Sequence, residues 1–478
     1  MDRSCHGSNS ASAGVPRLRA LNLIGGQWQA ADAAGEGDSI NPANGREIGS
    51  FAAGEAADAR QAIDAARRAF ERGGLSRDPA QRAALLLRWA DRLARRGDLA
   101  HLLTLENGKM LAQSRHEVAA AIACLRQEAS KLLKAQAAGI ISASISQPAG
   151  VVAILVHWDA PVALLLATLS RALAAGCSAV VKPARQCAQV TAAVIGELAA
   201  VQGLPQGVVN VVSETGQQVA CELVASRGVD ILCFTGVRAT GRKIAQAAAP
   251  GAKRLLFDLT GKSCGLVFPD VDMDVVAGKL ATAGLIAAGQ HRAAPRRILV
   301  HASCFDQAKA ALKRALGQVI VGAGEDRGCG MGPLIDASAL VTVGVRTEQA
   351  LERCSEVLLQ GRRAGGELSG GYFLSPTLVV ERDGADVSLA EEIYGPFISI
   401  GRFGDDNEAV ACANAMHMAR SVSVWTGDPE RAQRLVRALR NDGTLINRHD
   451  WLAADGAAGG DSIGLRGTLS DFLVGPRK

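Results

Sequence analysis

Polar side chains that could take part in chemistry stand at the ends of several short apolar runs. Asp159 follows "GVVAILVHW", Lys182 ends "CSAVVK", and Asp258 lies in "KRLLFDLT". A carboxylate can take up a proton, and a lysine can bind a phosphate. Arg292 is a fourth candidate, because "AAGQHRAAPRR" places its charge in the middle of an otherwise neutral turn of small residues.

The stretch "FTGVRATGRK" combines the end of a predicted strand with the start of a predicted helix. Gly236 and Gly241 would let backbone N–H groups approach a phosphate at that helix N-terminus. The stretch is not a P-loop, because Gly241 is followed by Arg242 and Lys243 rather than by lysine and a hydroxyl residue. Taken alone, the two glycines fit a tight turn as well as a phosphate site.

The elements that must position these residues alternate between strands and helices. Apolar β-branched runs from residue 150 onward are separated by helical stretches, and a second such series covers about residues 263–450. Two amphipathic helices are predicted over 55–73 and 79–107. The pattern predicts an α/β protein with a doubly wound parallel sheet, whose ligand would bind beyond the carboxyl ends of the strands.

Composition narrows the class of protein. The 478 residues are 48% hydrophobic and 21% charged, and the net charge of +5 comes from scattered arginines that are typical of a solvated face, so no nucleic-acid partner is expected. Eleven cysteines without a CxxC pair favour reduced thiols in the cytoplasm and no metal site. Without an apolar run of about 18 residues, no membrane span is predicted. Residues 1–20 are expected to form a disordered tail.

The motifs, taken in order, resemble the NAD(P)-dependent aldehyde dehydrogenase superfamily over roughly residues 22–478. The segments that carry the resemblance are "TLENGK", "HWDAP", "VVKPA", "GLPQGVVNVV", "FTGVRATG", "DLTGKS", "AAGQHR", "MGPLID" and "EEIYGP". The resemblance implies a Rossmann-like cofactor domain (21–128 and 149–260) and a second α/β catalytic domain (261–458). It also implies a small β oligomerisation element (129–148 and 459–478), and hence a homodimer or homotetramer.

In that family a cysteine thiolate attacks the aldehyde, hydride passes to NAD or NADP, and a glutamate-activated water releases the acid. On this resemblance the cofactor side is largely intact. The positions matched to cofactor binding are Trp158, Lys182, Arg185, Gly216, Gly236, Gly241 and Glu392. Two positions depart from the usual pattern: Val237 replaces a hydroxyl residue, and Arg185 replaces a glutamate that NAD-preferring members often carry. An arginine there could bind the 2′-phosphate of NADP.

The catalytic side differs at three positions. Asp159 stands at the family's oxyanion asparagine, Asp258 at its glutamate and Arg292 at its nucleophilic cysteine. A guanidinium is not a nucleophile near neutral pH, and an ionised Asp159 cannot donate a hydrogen bond to an oxyanion. We therefore expect a divergent member without the catalytic cysteine, in which Arg292 forms a buried ion pair with Asp159, Asp258 or both.

Three functions follow from these substitutions. The first is an NAD(P)-binding protein that cannot oxidise aldehydes through a thioester, acting alone or in a hetero-oligomer with an active homologue. The second is an oxidoreductase with non-thiol chemistry, in which Arg292 holds a small carbonyl ligand and Asp258 acts as the base. The third is a purely structural oligomer partner.

Overall fold

The computed structural model describes residues 18–33, 35–73, 75, 78–139, 147–382, 392–416, 419–449 and 468–474. Parts of three expected segments lie outside these residues. They are residues 1–17 of the tail, residues 383–391, 417–418 and 450–458 of the catalytic domain, and residues 140–146, 459–467 and 475–478 of the oligomerisation element.

The strands formed by the described residues belong to four sheets. In chain order they are β1 (Leu18–Ala20), β2 (Asn22–Ile24), β3 (Gln27–Gln29), β4 (Glu36–Asn41), β5 (Arg46–Ala52), β6 (Gln147–Pro148), β7 (Val151–Leu155), β8 (Ser178–Lys182), β9 (Val209–Val211), β10 (Ile231–Gly236), β11 (Arg254–Leu259), β12 (Ser263–Val267), β13 (Pro295–His301), β14 (Glu356–Leu359), β15 (Thr377–Val380), β16 (Phe397–Phe403), β17 (Ala419–Trp425), β18 (Asn441–Ile446) and β19 (Leu473–Val474).

The α-helices fill the connections between the strands. They are α1 (Ala56–Glu71), α2 (Pro79–Ala94), α3 (Leu99–Asn107), α4 (Leu111–Ala137), α5 (Pro161–Ala175), α6 (Ala188–Ala199), α7 (Gln218–Ala225), α8 (Arg238–Ala248), α9 (Met273–Gly284), α10 (Phe305–Gly317), α11 (Ala337–Arg353), α12 (Asp406–Asn414) and α13 (Pro429–Ala438). Within the described ranges, no helix is long and apolar enough to cross a membrane.

The first large sheet has the strand order β11-β10-β7-β8-β9-β2-β3, with parallel pairing from β11 to β9. Alternate residues of β7 face opposite sides: Val152 and Ile154 pack against α2, α4, α5 and α6, whereas Val151 and Ala153 pack against α1, α7 and α8. Both faces are thus covered by helices, which confirms the predicted doubly wound α/β fold. Parallel register aligns Thr235 of β10 with Asp258 of β11.

The second large sheet has the order β14-β15-β16-β13-β12-β17-β18 and is parallel except for β14. Ile298 and Val300 of β13 face the side covered by α9, α10 and α11, and Leu299 faces the side of α12 and α13. The second α/β series predicted over about 263–450 is therefore present. Its central strand, β13, follows directly after the loop that carries Arg292.

The prediction of one helix over 79–107 is wrong, because the structure divides this stretch into α2 and α3. The break contains Gly97, a poor helix former, and Asp98, the residue before α3. Arg96 donates two hydrogen bonds of 2.7 Å to the Asp98 carboxylate, which stabilises the turn. Local side-chain bonding therefore interrupts a continuous apolar pattern.

The described residues also form two smaller sheets. One joins β1, β5 and β4. The other is a two-stranded antiparallel ribbon of β6 and β19, in which Leu473 pairs with Pro148. This ribbon joins short parts of the two segments expected to mediate oligomerisation, whereas residues 129–137 of the first segment continue α4.

Candidate active site and cofactor cavity

Arg292 lies in a sharply turned loop between α9 and β13. Ala287 and Ala288 have positive φ angles of 50° and 56°, and Gly289 has a φ of 72°. A Cβ atom on Gly289 would lie 2.1 Å from the carbonyl oxygen of Gly395, so only glycine fits there. The loop thus packs tightly against the segment before β16 and directs Arg292 inward, where its side chain is 4% exposed.

The Arg292 guanidinium forms ion pairs with both aspartates. Its Nη1 lies 3.0 Å from Oδ2 of Asp159, and its Nε lies 3.5 Å from Oδ2 of Asp258. Both carboxylates are buried. Asp159 lies in the turn between β7 and α5, and Asp258 lies near the end of β11, so the pairs link the Arg292 loop to the carboxyl edge of the first sheet. The ion pair expected from the sequence is present.

Asp159 is held by further donors. The backbone N–H of Arg292 and the hydroxyl of Tyr394 donate to Oδ2 over 3.3 and 3.1 Å, and Nδ1 of His157 lies 3.0 Å from Oδ1. Burial alone would raise the pKa of Asp159, but the positive charge of Arg292 and the contact with His157 hold it well below its usual value. The carboxylate is therefore ionised, and it can only accept hydrogen bonds.

Two more arginines of the same segment hold carboxylates. Arg296 Nη1 lies 2.6 Å from Oε1 of Glu392, and its guanidinium stacks over the Tyr394 ring at 4.5 Å. Arg297 binds the buried carboxylate of Glu381 through two hydrogen bonds of 2.8 and 2.7 Å. Glu392, expected from the resemblance to bind a cofactor ribose, is thus engaged by Arg296.

A cavity of about 800 Å³ opens at the carboxyl ends of β7, β8 and β10. Among the predicted cofactor residues, Lys182, Arg185 and Gly216 line it. Lys182 Nζ lies 3.2 Å from Oε1 of the buried Glu214, whose other carboxylate oxygen accepts the N–H of Val219 in the first turn of α7. The size and position of this cavity suit a nucleotide beside a doubly wound sheet.

The remaining predicted cofactor residues, Gly236, Gly241, Trp158 and Glu392, are not among the residues that line this cavity. Gly236, with a φ of 157°, ends β10, and Gly241 lies in α8 with its Cα facing Leu259. A Cβ on either glycine would lie 2.5–2.7 Å from the end of the Phe234 or the Leu259 side chain, so a larger residue would displace that neighbour. Trp158 stacks on His157 with ring centroids 5.0 Å apart, and its carbonyl accepts a hydrogen bond from Asn107.

Two buried cysteines, Cys304 and Cys187, are poor candidates for a substitute nucleophile, whereas the exposed Cys221 lines the cofactor cavity rather than the Arg292 cluster. Cys304, nearest to Arg292 in sequence, packs in the core of the second sheet, and its thiol donates to the His301 carbonyl. Cys187 contacts the Trp158 carbonyl, but burial and the charge of Glu106 raise the pKa of its thiol well above the usual value. A protonated, buried thiol is a poor nucleophile. Within the described residues, no cluster of His, Cys, Asp and Glu could hold a metal ion.

Four site residues were missed by sequence reasoning: His157, Glu214, Arg296 and Tyr394. His157 and Tyr394 lie within "HWDAP" and "EEIYGP", so an analysis of every polar residue in those segments would have found them. Arg296 could have been found as a second charge in the stretch "AAGQHRAAPRR" that needs a partner. Glu214 gives no comparable sequence signal, since its pairing with Lys182 depends on the fold.

The fold and the site define a class: a two-sheet α/β protein with a nucleotide-sized cavity beside a buried polar cluster. The aldehyde dehydrogenase family model matches residues 28–462, and the chain belongs to this family. It is 32% identical over 471 residues to the succinate-semialdehyde dehydrogenase [NADP(+)] GabD of Escherichia coli, covering 95% of this chain and 96% of that protein. It is 34% identical over 420 residues to the aminoacetaldehyde dehydrogenase of Pseudomonas aeruginosa, covering 86% and 84%.

Solved structures agree with this assignment. A putative aldehyde dehydrogenase from Burkholderia cenocepacia superimposes with a TM-score of 0.86 at 28% identity, covering 96% of this chain and 98% of that one. A betaine aldehyde dehydrogenase from Staphylococcus aureus, solved with NAD+, gives 0.88 at 27% identity, covering 96% and 95%. The two-sheet architecture is therefore that of the family.

Proposed function

We propose that this chain is an NAD(P)-binding member of the aldehyde dehydrogenase family that does not oxidise aldehydes through a thioester. The observation that supports this most directly is the buried ion pair of Arg292 with Asp159 and Asp258. Arg292 stands at the position where the family has its nucleophilic cysteine. The guanidinium is permanently charged and carries no lone pair available for attack on a carbonyl.

The surroundings of Arg292 favour this arrangement over catalysis. Asp159, at the family's oxyanion asparagine, is an ionised acceptor and would repel a developing alkoxide. Loss of the covalent nucleophile in a hydrolase of the triad type lowers the rate by about a millionfold, which is on the order of 8 kcal/mol of activation free energy. The ion pairs therefore act as a structural replacement for a reaction centre.

The cofactor is NAD or NADP. The cavity at the carboxyl ends of β7, β8 and β10 fits its phosphates and adenosine, with Lys182, Arg185 and Gly216 on the wall. Gly236, Gly241 and Trp158 complete the set proposed to contact it, whereas the carboxylate of Glu392, expected from the resemblance to join them, is held by Arg296. When bound, NAD(P) would supply a hydride acceptor, whereas the residues of this chain would bind and orient it. Arg185 is 55% exposed and lies 3.9 Å from Asp336, so it is available to a 2′-phosphate.

The domain and assembly assignments are part of the same proposal. We assign residues 21–128 and 149–260 to cofactor binding, 261–458 to the second domain, and 129–148 with 459–478 to oligomerisation. The two separate large sheets and the β6–β19 ribbon support this division. The assembly is a homodimer, a homotetramer or a hetero-oligomer with an active homologue.

The proposal is tested by the absorbance of NAD(P)H. The wild type, supplied with NAD or NADP and a panel of aliphatic, amino and carboxylated aldehydes, should give no rate above background. A triple variant that combines Arg292→Cys, Asp159→Asn and Asp258→Glu should gain a measurable rate and form a thiol adduct detectable by mass spectrometry.

A matched control keeps the other two substitutions of the triple variant but lacks the thiol introduced at position 292. The variant with Arg292→Ser, Asp159→Asn and Asp258→Glu should bind nucleotide as the triple cysteine variant does and remain inactive. Robust aldehyde oxidation by the wild type would overturn the proposal. If that oxidation were lost in Arg292→Ala, it would support the alternative in which Arg292 holds the carbonyl ligand.

A further inference from the structure

The cleft of this protein has one open end and one end filled by its own ion pairs. The open end is the cavity bordered by Lys182, Arg185 and Lys243. His157 lines that cavity and also contacts Asp159, so this part of the cavity wall borders the buried polar cluster. A ligand that extends past His157 therefore meets Arg292, Tyr394 and the Arg296–Glu392 pair.

In the filled end, Glu392 is already bonded through both its carboxylate and its backbone carbonyl. Its carboxylate is 2.6 Å from Arg296, and its backbone carbonyl accepts a hydrogen bond of 2.7 Å from Arg346. Arg296 is fixed in turn by the carbonyls of Gly289 and His291, at 3.2 and 2.7 Å, and by stacking on Tyr394. A ribose hydroxyl could bond to the Glu392 carboxylate only by competing with a buried, multiply bonded guanidinium.

Arg292, Asp159 and Asp258 are likewise held by contacts with one another. Arg292 is buried against two carboxylates, and the loop that carries it is locked where Gly289 meets Gly395. Displacing Arg292 toward solvent would leave two buried carboxylates without their counter-charge, which is costly. The filled end therefore resists a second nucleoside.

The open end has the opposite character. Lys182, Arg185 and Lys243 supply positive charge to its wall, and Glu214 is the acidic residue that lines it. Glu214 is already paired with Lys182 and with the N-terminus of α7. Such a wall attracts the phosphates of a nucleotide.

We propose that this cavity recognises the adenosine diphosphate portion of its ligand and that the nicotinamide riboside portion adds little affinity. The protein would then be an adenine-nucleotide binder that accepts ADP about as well as NAD. This inference rests on the proposed cofactor cavity and specifies which part of the ligand that cavity binds.

The test is isothermal titration of the full chain with ADP and with NAD. The two dissociation constants should agree within about fivefold, less than the tenfold that corresponds to 1.4 kcal/mol. Binding of NAD that is tighter than that of ADP by more than this ratio would overturn the inference and leave the proposed function intact. Failure of both nucleotides to bind would overturn the cofactor assignment itself.

Arg296→Met supplies an independent test. Removal of the guanidinium releases Glu392, so NAD should gain about tenfold in affinity relative to ADP, the worth of one charge-assisted hydrogen bond. Adding Glu392→Gln should remove that gain. Arg346→Met is the matched control, because Arg346 bonds to the Glu392 carbonyl rather than to its carboxylate. ADP affinity serves as the internal measure of a folded cavity, and an unchanged NAD-to-ADP ratio in Arg296→Met would contradict the inference.

Discussion

Replacing Arg292 by methionine should destabilise the protein strongly. The change keeps the approximate length of the side chain but leaves Asp159 and Asp258 buried without their shared cation. Removing one partner of a buried ion pair costs about 3–5 kcal/mol of unfolding free energy. Because Tyr394, His157 and the Arg292 backbone N–H still contact Asp159, we expect the lower end, about 3 kcal/mol. That is a large part of the 5–15 kcal/mol typical of a folded protein.

The loss of unfolding free energy in Arg292→Met should become smaller as the pH falls. In the wild type the pKa of Asp159 is depressed in the folded state, so its stabilising contribution is present above the unfolded value of about 3.9 and is lost as pH falls through the folded value. In Arg292→Met, burial dominates and raises the pKa of Asp159 above the unfolded value. Protonation of Asp159 then removes its buried, uncompensated charge. The difference in unfolding free energy between variant and wild type should therefore shrink from pH 7 to pH 4.5.

Urea unfolding, followed by tryptophan fluorescence and circular dichroism at each pH, measures both effects. Arg314→Met is the matched control, because its pair with Asp274 is on the surface and should contribute under about 1 kcal/mol. Adding Asp159→Asn to Arg292→Met should recover part of the lost stability at pH 7. A loss below about 1 kcal/mol that does not vary with pH would refute the idea that Arg292 neutralises the two carboxylates.

Two further predictions concern neighbouring residues. Tyr394→Phe removes a 3.1 Å hydrogen bond to the ionised Asp159 and should cost about 1.5–3 kcal/mol in urea unfolding, and no loss would contradict this contact. Arg185→Met should weaken NADP binding by about tenfold, with NAD as the internal control, because one charge-assisted bond to the 2′-phosphate would be lost. Equal weakening of both nucleotides in titration calorimetry would argue against that role.

The sequence was sufficient for most of the fold. The apolar runs from "GVVAILVHW" to "VDILCFTG" form the parallel strands β7 to β10, because strands buried on both faces are apolar throughout. The edge strand β11 is less buried and carries the charged residues of "KRLLFDLT". The break between α2 and α3 was missed because it depends on the local bonding of Arg96 to Asp98 rather than on periodicity.

The candidate site was partly predictable for a different reason. A lone arginine in an apolar loop needs a counter-charge, and Asp159 and Asp258 were the carboxylates available at strand ends. The engagement of Glu392 by Arg296 was not predictable, because a motif match carries a residue's role but not its neighbours in space. The same limit explains why Glu214 was missed beside Lys182.

The loop before Arg292 offers a last test of how the structure is maintained. Ala287 and Ala288 both adopt left-handed backbone angles, which cost a non-glycine residue roughly 1–2 kcal/mol each. The loop is held by tertiary contacts: Gln113 accepts the Ala287 N–H at 3.2 Å, and the Gly289 carbonyl accepts a bond from Arg296.

Ala288→Gly relieves the strain at one of these positions. The gain should offset the greater freedom of glycine in the unfolded chain, so the unfolding free energy should be unchanged or rise by up to about 1 kcal/mol. Ala310→Gly, at an exposed position within α10, is the control and should lose about 1 kcal/mol. Urea unfolding of both variants measures the change in unfolding free energy. Equal losses in the two variants would mean that Ala288 is not strained. The conformation of the loop that holds Arg292 would then be determined by its own sequence rather than by the surrounding contacts.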